Sequence, residues 1–172
     1  SWIWVHDRGK VFEWSNEGAP LLMYGTRQDI SQKKQNELAL QVSEEAFRGN
    51  FENAGIGMAL VGLNGNWLKV NRELCNILGY TEVELLKQTF QDITHPEDLE
   101  KDLIFLNELI EGKRDHCQME KRYFHKDGHI VYIILAVSMV KDTEGTILHF
   151  ISQIIVISTR KKQELEIAYQ QD

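Results

Sequence analysis

Hydrophobic and polar positions fall into two rhythms along these 172 residues, one of period two and one helical. Residues 2–14 and 21–28 are extended in pattern and flank the turn string Ser15-Asn16-Glu17-Gly18, which predicts a hairpin. From Ser31 to about Asn53 there is no Pro, Gly occurs only at Gly49, and Leu38, Val42 and Ala46 recur at i, i+4 and i+8. That spacing predicts a helix, with Ser43, Glu44 and Glu45 placed to restart it as cap and early carboxylates. Gly57–Leu63 and Trp67–Val70 predict paired strands about Asn64-Gly65-Asn66, because Asn-Gly supplies the positive φ of a tight hairpin turn. Asn71 is placed to cap a short helix through Leu74, Ile77 and Leu78, stopped by Gly79, and Thr81-x-x-Glu84 is a capping box opening another. Pro96, Glu97, Asp98 and Glu100 suit the first turn of a longer helix whose apolar set is Leu99, Leu103, Leu106 and Ile110, up to Gly112.

His116–Phe124, Ile130–Val140 and Ile147–Ile157 then predict three strands about Lys126-Asp127-Gly128 and Asp142-Thr143-Glu144-Gly145. Two strands, several helices and three strands predict an antiparallel α+β domain, since parallel sheets alternate strand with helix. Ser158–Asp172 is polar and Pro-free, with Ile157, Leu165 and Ala168 roughly in line, and reads as an exit helix. In Ile130–Val140 both parities are apolar: Ile130, Tyr132, Ile134 and Ala136 on one side, Val131, Ile133, Leu135 and Val137 on the other. A sheet with one wet face would alternate, so both faces are expected to be covered, one by helices and the other by the Ser43–Asn53 helix and a second subunit.

The two ends repeat each other. At an offset of 127, Glu17-Gly18 aligns with Glu144-Gly145, Leu21 with Leu148, Ile30-Ser31 with Ile157-Ser158 and Lys34 with Lys161, six identities in 18 ungapped positions. Trp2, Trp4 and Trp14 also crowd the first 14 residues, a large apolar load for a stretch too short to hold a core. The expectation is a slice of a tandem array: residues 1–31 close one domain, 32–48 form a linker helix, 43–158 form a complete domain, and 159–172 lead out of it.

Composition adds exclusions. With 19 Lys+Arg against 26 Asp+Glu the net charge is −7, which disfavours nucleic acid as a partner. The longest uncharged stretches, Asn53–Leu68 and Thr146–Thr159, are shorter than the roughly 18–20 apolar residues a spanning helix needs, so no membrane contact is expected. Cys75 and Cys117 form no CxxC and give no disulfide framework, making a reducing, cytoplasmic setting the default.

Phe47–Asn53 leading into Gly55-Ile56-Gly57-Met58-Ala59, Trp67–Asn71, Leu78-Gly79-Tyr80-Thr81, Phe90–Asp98, Met119–Tyr123, Lys126-Asp127-Gly128 and Ile157–Lys161 together resemble, in order and spacing, a PAS domain with its C-terminal PAC motif. Trp4–Arg8, Glu17-Gly18 and Asp29-Ile30-Ser31 resemble the tail of a preceding one. The resemblance implies a five-stranded antiparallel sheet of order 2-1-5-4-3 with helices across one face. It also implies a non-catalytic sensory and dimerisation module upstream of a histidine kinase or diguanylate cyclase in bacterial signal transduction. The family's closing Asp-Ile-Thr/Ser triplet is intact at Asp29-Ile30-Ser31 but reads Val156-Ile157-Ser158 at the second site, so coupling of the last strand to the exit helix is expected at Asp29, Val156, Ile157 and Ser158, with packing replacing the carboxylate at Val156.

Chemistry is sparse. His125 and His129 flank a turn rather than sharing a helix face and read as solvated or paired across the hairpin, and no HExxH or Cys/His pairing occurs, so no metal site and no catalytic residues are expected. Cys75, beside Leu74 and Ile77, reads as a small apolar residue, and His95 as a cap or loop residue. Among PAS relatives, haem needs an axial His near the long helix, where only His95 and His116 lie beyond its ends, and a covalent flavin adduct needs an Asn-Cys-Arg string that Gln88–Thr94 lacks. Both are disfavoured. The alternative of a cofactor-bearing sensor of light, redox state or gas rests on a non-covalent flavin or haem; a small metabolite, or a filled core, also stays open. Candidate pocket residues are Met58, Leu74, Leu78, Ile93, Leu103 and Leu106.

Overall fold

A computed structural model describes residues 1–170, and the chain divides into one unit of residues 1–49 and a second that begins at Asn50. In the first unit, strands β1 (Val5–Trp14) and β2 (Pro20–Asp29) pair antiparallel from Val5 opposite Asp29 to Trp14 opposite Pro20. The turn is built by Ser15, whose Oγ accepts from the amides of Glu17 and Ala19, and by Gly18 at φ 81°, a left-handed value that favours glycine. Nearly every side chain of this hairpin is exposed, Trp4, Phe12, Trp14, Leu22 and Tyr24 included. Helix α1 (Ser31–Glu52) follows in one piece. The expected restart at Ser43 does not occur: no Pro or Gly interrupts the stretch before Gly49, so propagation costs less than a second nucleation.

The second unit runs β3 (Gly57–Val61), β4 (Trp67–Val70), α2 (Arg72–Leu78), α3 (Glu82–Leu85), α4 (Phe90–Ile93), α5 (Pro96–Ile110), β5 (His116–Phe124), β6 (Ile130–Lys141), β7 (Ile147–Val156) and α6 (Ser158–Gln170). The exit helix was expected to reach Asp172; Gln171 and Asp172 lie outside the described residues. The sheet is antiparallel in the order β4-β3-β7-β6-β5, which is 2-1-5-4-3 counted within this sheet. Its inner face is one parity of each strand: Ala59 and Val61, Cys117, Met119 and Tyr123, Val131, Ile133 and Leu135, Phe150 and Ile154 are all buried. Helix residues Leu74, Leu78, Leu85, Phe90, Ile93 and Leu109 complete that core. Fully burying each such side chain is worth about 1.5–3 kcal/mol, which is why this unit holds its fold through packing.

One polar residue organises the start of this core. Asn71, fully buried, caps α2 through Oδ1, which accepts from the Leu74 amide at 3.0 Å and the Met58 amide at 2.9 Å. Its Nδ2 donates to the carbonyls of Phe51 and Ile56 at 2.9 and 3.0 Å. The side-chain amide thus has both donors and both acceptor sites used, which is what allows its burial without penalty.

Three local expectations change. Helix α4 was not foreseen; it is a single turn held by a capping box, with the Thr89 amide and hydroxyl both donating to Asp92. In α5 the buried residue near the end is Leu109, and Ile110 is exposed, because the stripe advances by three from Leu106 rather than four. Cys75 is half-buried and Cys117 buried, and burial pushes both thiols above their ordinary pKa. Along β6 one parity is buried as expected, while Tyr132, Ile134 and Ala136 on the other are half-buried in the single chain.

Candidate functional site

The inner sheet face contains two charges. Lys121 shares the parity of Cys117, Met119 and Tyr123 on β5, so the strand's alternation drives its side chain inward, where it is fully buried. Asp102 sits on α5 between Leu99 and Leu106, on the apolar stripe, and its carboxylate accepts from Lys121 Nζ. The ammonium also donates to Thr94 Oγ1 at 3.2 Å, which in turn donates to the Phe90 carbonyl, and lies 4.3 Å from the Tyr123 ring centre. Burial pushes the Lys121 ammonium below its ordinary pKa, with Asp102 opposing that shift. Burial likewise drives the Tyr123 phenol well up. Such a pair is worth little as net stability but is very costly to break singly, since either partner alone is a buried charge.

These residues line a small interior cavity of ≈ 20 Å³ together with Trp67, Phe90, Leu106, Phe150 and Ser152. That is room for about one water. Trp67 Nε1, buried in its lining, has no hydrogen-bond partner among the described residues.

Of the six expected pocket residues, Leu106 lines the cavity. Leu74, Leu78 and Ile93 lie in the core, Leu103 packs against it, and Met58 lies on the parity of β3 opposite the buried Gly57, Ala59 and Val61. Sequence reasoning missed Lys121, Asp102, Trp67 and Ser152. The signal was present: a Lys on the buried parity of a strand and an Asp on the apolar stripe of a helix.

The exit from the sheet is a defined junction. The Ile157 amide donates to the Tyr132 carbonyl at 2.8 Å, and the Tyr132 amide donates to Ser158 Oγ at 3.1 Å, so β6 holds both residues that open α6. Ile157 is buried, and Val156 is half-exposed with no polar atom to offer. One turn on, Lys161 Nζ meets Glu120 at 2.7 Å. Glu120 neighbours Lys121 on β5 and faces the opposite side, so the strand that carries the buried charge also carries the anchor of the exit helix. Arg122, next along, binds Asp98 of α5 through Nε at 3.0 Å and Nη2 at 2.9 Å, a bidentate clamp that holds the Asp98 carboxyl below its ordinary pKa. In the first unit, Asp29 Oδ1 accepts from the Ser31 amide at 2.9 Å and Ser31 Oγ accepts from the Trp4 amide at 3.0 Å.

The histidines are a helix cap and a hairpin pair. His95 caps α5 by accepting from the Glu97 amide, as its position implied. His125 and His129 are brought together by the turn between them: their rings stack with centres 4.3 Å apart. The His125 amide donates to the His129 carbonyl at 2.8 Å, which makes the two a cross-strand pair at the mouth of the β5–β6 hairpin, on one face.

A sequence profile described as PAS fold matches residues 68–154. The probable diguanylate cyclase DgcE of Escherichia coli K12 is 49% identical over 122 residues, 71% of this chain and 11% of that protein. The sensor histidine kinase TmoS of Ectopseudomonas mendocina is 26% identical over 162 residues, 92% of this chain and 16% of that protein. The chain therefore spans a small part of the length of these relatives. Among solved structures, a PAS domain from Colwellia psychrerythraea matches with a TM-score of 0.62 at 18% identity, over 67% of this chain and 97% of that one. The PAS domain of an HTR-like protein from Haloarcula marismortui matches at 0.60 and 22%, over 72% and 99%. Among the described residues, no helix is long and apolar enough to cross a membrane.

Proposed function

Because the chain belongs to the PAS family, a family of sensory modules, we propose that it is a non-catalytic relay, passing a bias in the packing of its sheet through α6 to a downstream effector in the same protein. The effector is a diguanylate cyclase or a histidine kinase, the two activities named for the relatives DgcE and TmoS. The observation that carries this reading is the junction at Ile157 and Ser158. Both are hydrogen-bonded to Tyr132 in the sheet, and Lys161 is tied to Glu120, next to the buried Lys121. Moving β5 or β6 moves the start of α6, and a relay needs no more than two packings of that kind differing by a few kcal/mol.

The alternative, a flavin- or haem-bearing sensor, requires the core to open: a cavity of ≈ 20 Å³ is far below the roughly 300 Å³ at which ligand pockets begin. Residues 1–31 are the closing hairpin of a preceding PAS domain, supported by the six identities at an offset of 127. A second copy covers the outer sheet face of Met58, Leu60, Tyr132 and Ile134, with the flanking helices, in a homodimer; this is supported by the apolar character of both parities of β6. Sedimentation showing only monomer at high micromolar concentration overturns the dimer.

In the parent protein, Ser158→Ala and Val156→Asp are each expected to shift basal or stimulated output while the domain stays folded. Unchanged output in both variants overturns this junction as the coupling point. A colourless purified protein with no extractable chromophore is expected, and a bound flavin or haem overturns the relay in favour of the cofactor sensor.

A further inference from the structure

The β5–β6 turn brings His125, Asp127 and His129 together so that one donor atom from each lies within 4.8 Å of the others. Asp127 Oδ1 stands 3.1 Å from His125 Nδ1 and 2.5 Å from His129 Nδ1. The frame around them is fixed by the backbone. The Gly128 amide donates to the His125 carbonyl at 2.8 Å, the His129 amide donates to Asp127 Oδ1 at 3.0 Å, and Gly128 takes φ 95°, where a side chain would be strained. His125 is further held against the end of α2: a Cβ on Gly79 would lie 2.2 Å from its ring.

Two imidazoles and one carboxylate are the ligand set of borderline late transition ions, Zn²⁺ foremost, and three protein ligands leave the fourth position of a tetrahedral ion to water. At metal–ligand distances of about 2.0–2.2 Å, tetrahedral ligands stand roughly 3.3–3.5 Å apart. The donors on this turn are therefore within about 1.5 Å of coordination spacing, and the space an ion would take is now closed by the His129–Asp127 hydrogen bond. The Asp127 carboxylate stands at the Nδ1 atoms of both stacked rings, and Asp127 and His129 are both more than half exposed.

We propose that His125, Asp127 and His129 form a binding site for a divalent late transition ion, independent of the interior cavity and of the exit junction. A bound ion staples the ends of β5 and β6 together. It also fixes the end of α2, because Lys126 donates its amide to the Leu78 carbonyl at 2.9 Å and its ammonium to Glu84 of α3 at 2.6 Å. The hairpin thereby becomes a point at which metal availability bears on the packing of β5, the strand that carries Lys121 and Glu120.

The test is a calorimetric titration of the chelator-stripped chain with Zn²⁺, alongside His129→Ala and Asp127→Asn, each checked for folding by circular dichroism. Both substitutions are at exposed side chains. One ion per chain is expected, with affinity weakened at least tenfold in each variant, and Co²⁺ is expected to give a tetrahedral visible band that His129→Ala loses. Absence of a saturable site at 100 μM Zn²⁺ overturns the proposal. So does binding that both variants leave unchanged, which would place the ion on other groups of this acidic chain.

Discussion

Two hairpins in this molecule are built to the same local plan and stand in opposite environments. In each, a residue at the start of the turn accepts two amides through its side chain: Ser15 from Glu17 and Ala19, Asp142 from Glu144 and Thr146. In each, glycine at positive φ follows, Gly18 at 81° and Gly145 at 87°. Each hairpin then ends at an Ile-Ser pair that opens a helix, and the Ser hydroxyl accepts an amide from across the hairpin, from Trp4 just before β1 for Ser31 and from Tyr132 on β6 for Ser158. What differs is what lies against them. β1 and β2 expose nearly every side chain, whereas β6 buries Val131, Ile133, Leu135 and Val137 and β7 buries Phe150, Ser152 and Ile154. The plan of a hairpin and its exit is thus local, set by turn chemistry and a hydroxyl, while its stability comes from the surface it packs on; an isolated two-stranded ribbon is marginal.

The contrast can be broken most strongly at equivalent positions in the second strand of each hairpin, β2 and β7. Phe150 is 1% exposed and Met23, 127 positions earlier, is 62% exposed. Phe150→Ala is expected to cost about 3–5 kcal/mol in urea unfolding, from lost burial and the cavity left behind. Met23→Ala is expected to change stability by less than ~0.5 kcal/mol. Equal effects would show that the first hairpin is as tightly packed as the second.

A smaller effect separates the two exits. Asp29 gives its carboxylate to the Ser31 amide, one of the unpaired donors of a helix start, and Val156 has nothing to give at the matching place. Val156→Asp is expected to strengthen the first turn of α6 by ~0.5–1 kcal/mol, seen as slower amide exchange at Ser158 to Lys161. No slowing there would mean that the backbone at Val156 cannot reproduce the Asp29 geometry.

The smallest effect is in pH. The side chain of Ser31, and then its backbone amide, hold the Asp29 carboxyl below its ordinary value. The unfolded chain therefore takes up the proton first as pH falls: the contribution is whole above about pH 3.8 and is lost as pH drops through the lowered folded value. An NMR titration should show the Ser31 amide moving in that acid range while the Ser158 amide stays still.

What the sequence makes legible divides along the same line. Turns and caps are short-range properties, so the hairpins and the Asn71 and Thr81 caps could be read directly, whereas β6 is apolar on both parities and does not declare which one faces the helices. The interior pair of Lys121 and Asp102 could not be matched from sequence, because it joins a strand to a helix 19 residues away and each charge alone reads as solvated. Lys121 pairs with Ile133 across β5 and β6, which puts it on the same inward face. The turn string between His125 and His129 excludes a shared helix face and leaves cross-strand pairing, under which residues flanking a three-residue turn face each other. Short segments such as α4, whose buried residues are Phe90 and Ile93, take their form from the core they cover rather than from periodicity.

The proposed relay requires the sheet and the exit helix to open as one unit through the contact of Tyr132 with Ser158. Native-state hydrogen exchange on the wild type and on Ser158→Ala measures it directly. Loss of one hydrogen bond worth ~1 kcal/mol should speed exchange of the Ile157 amide, bonded to the Tyr132 carbonyl, and of the Lys161 amide together, by about fivefold each. Faster exchange at Lys161 alone, with Ile157 as protected as in the wild type, would contradict this, because α6 would then fray without moving the sheet.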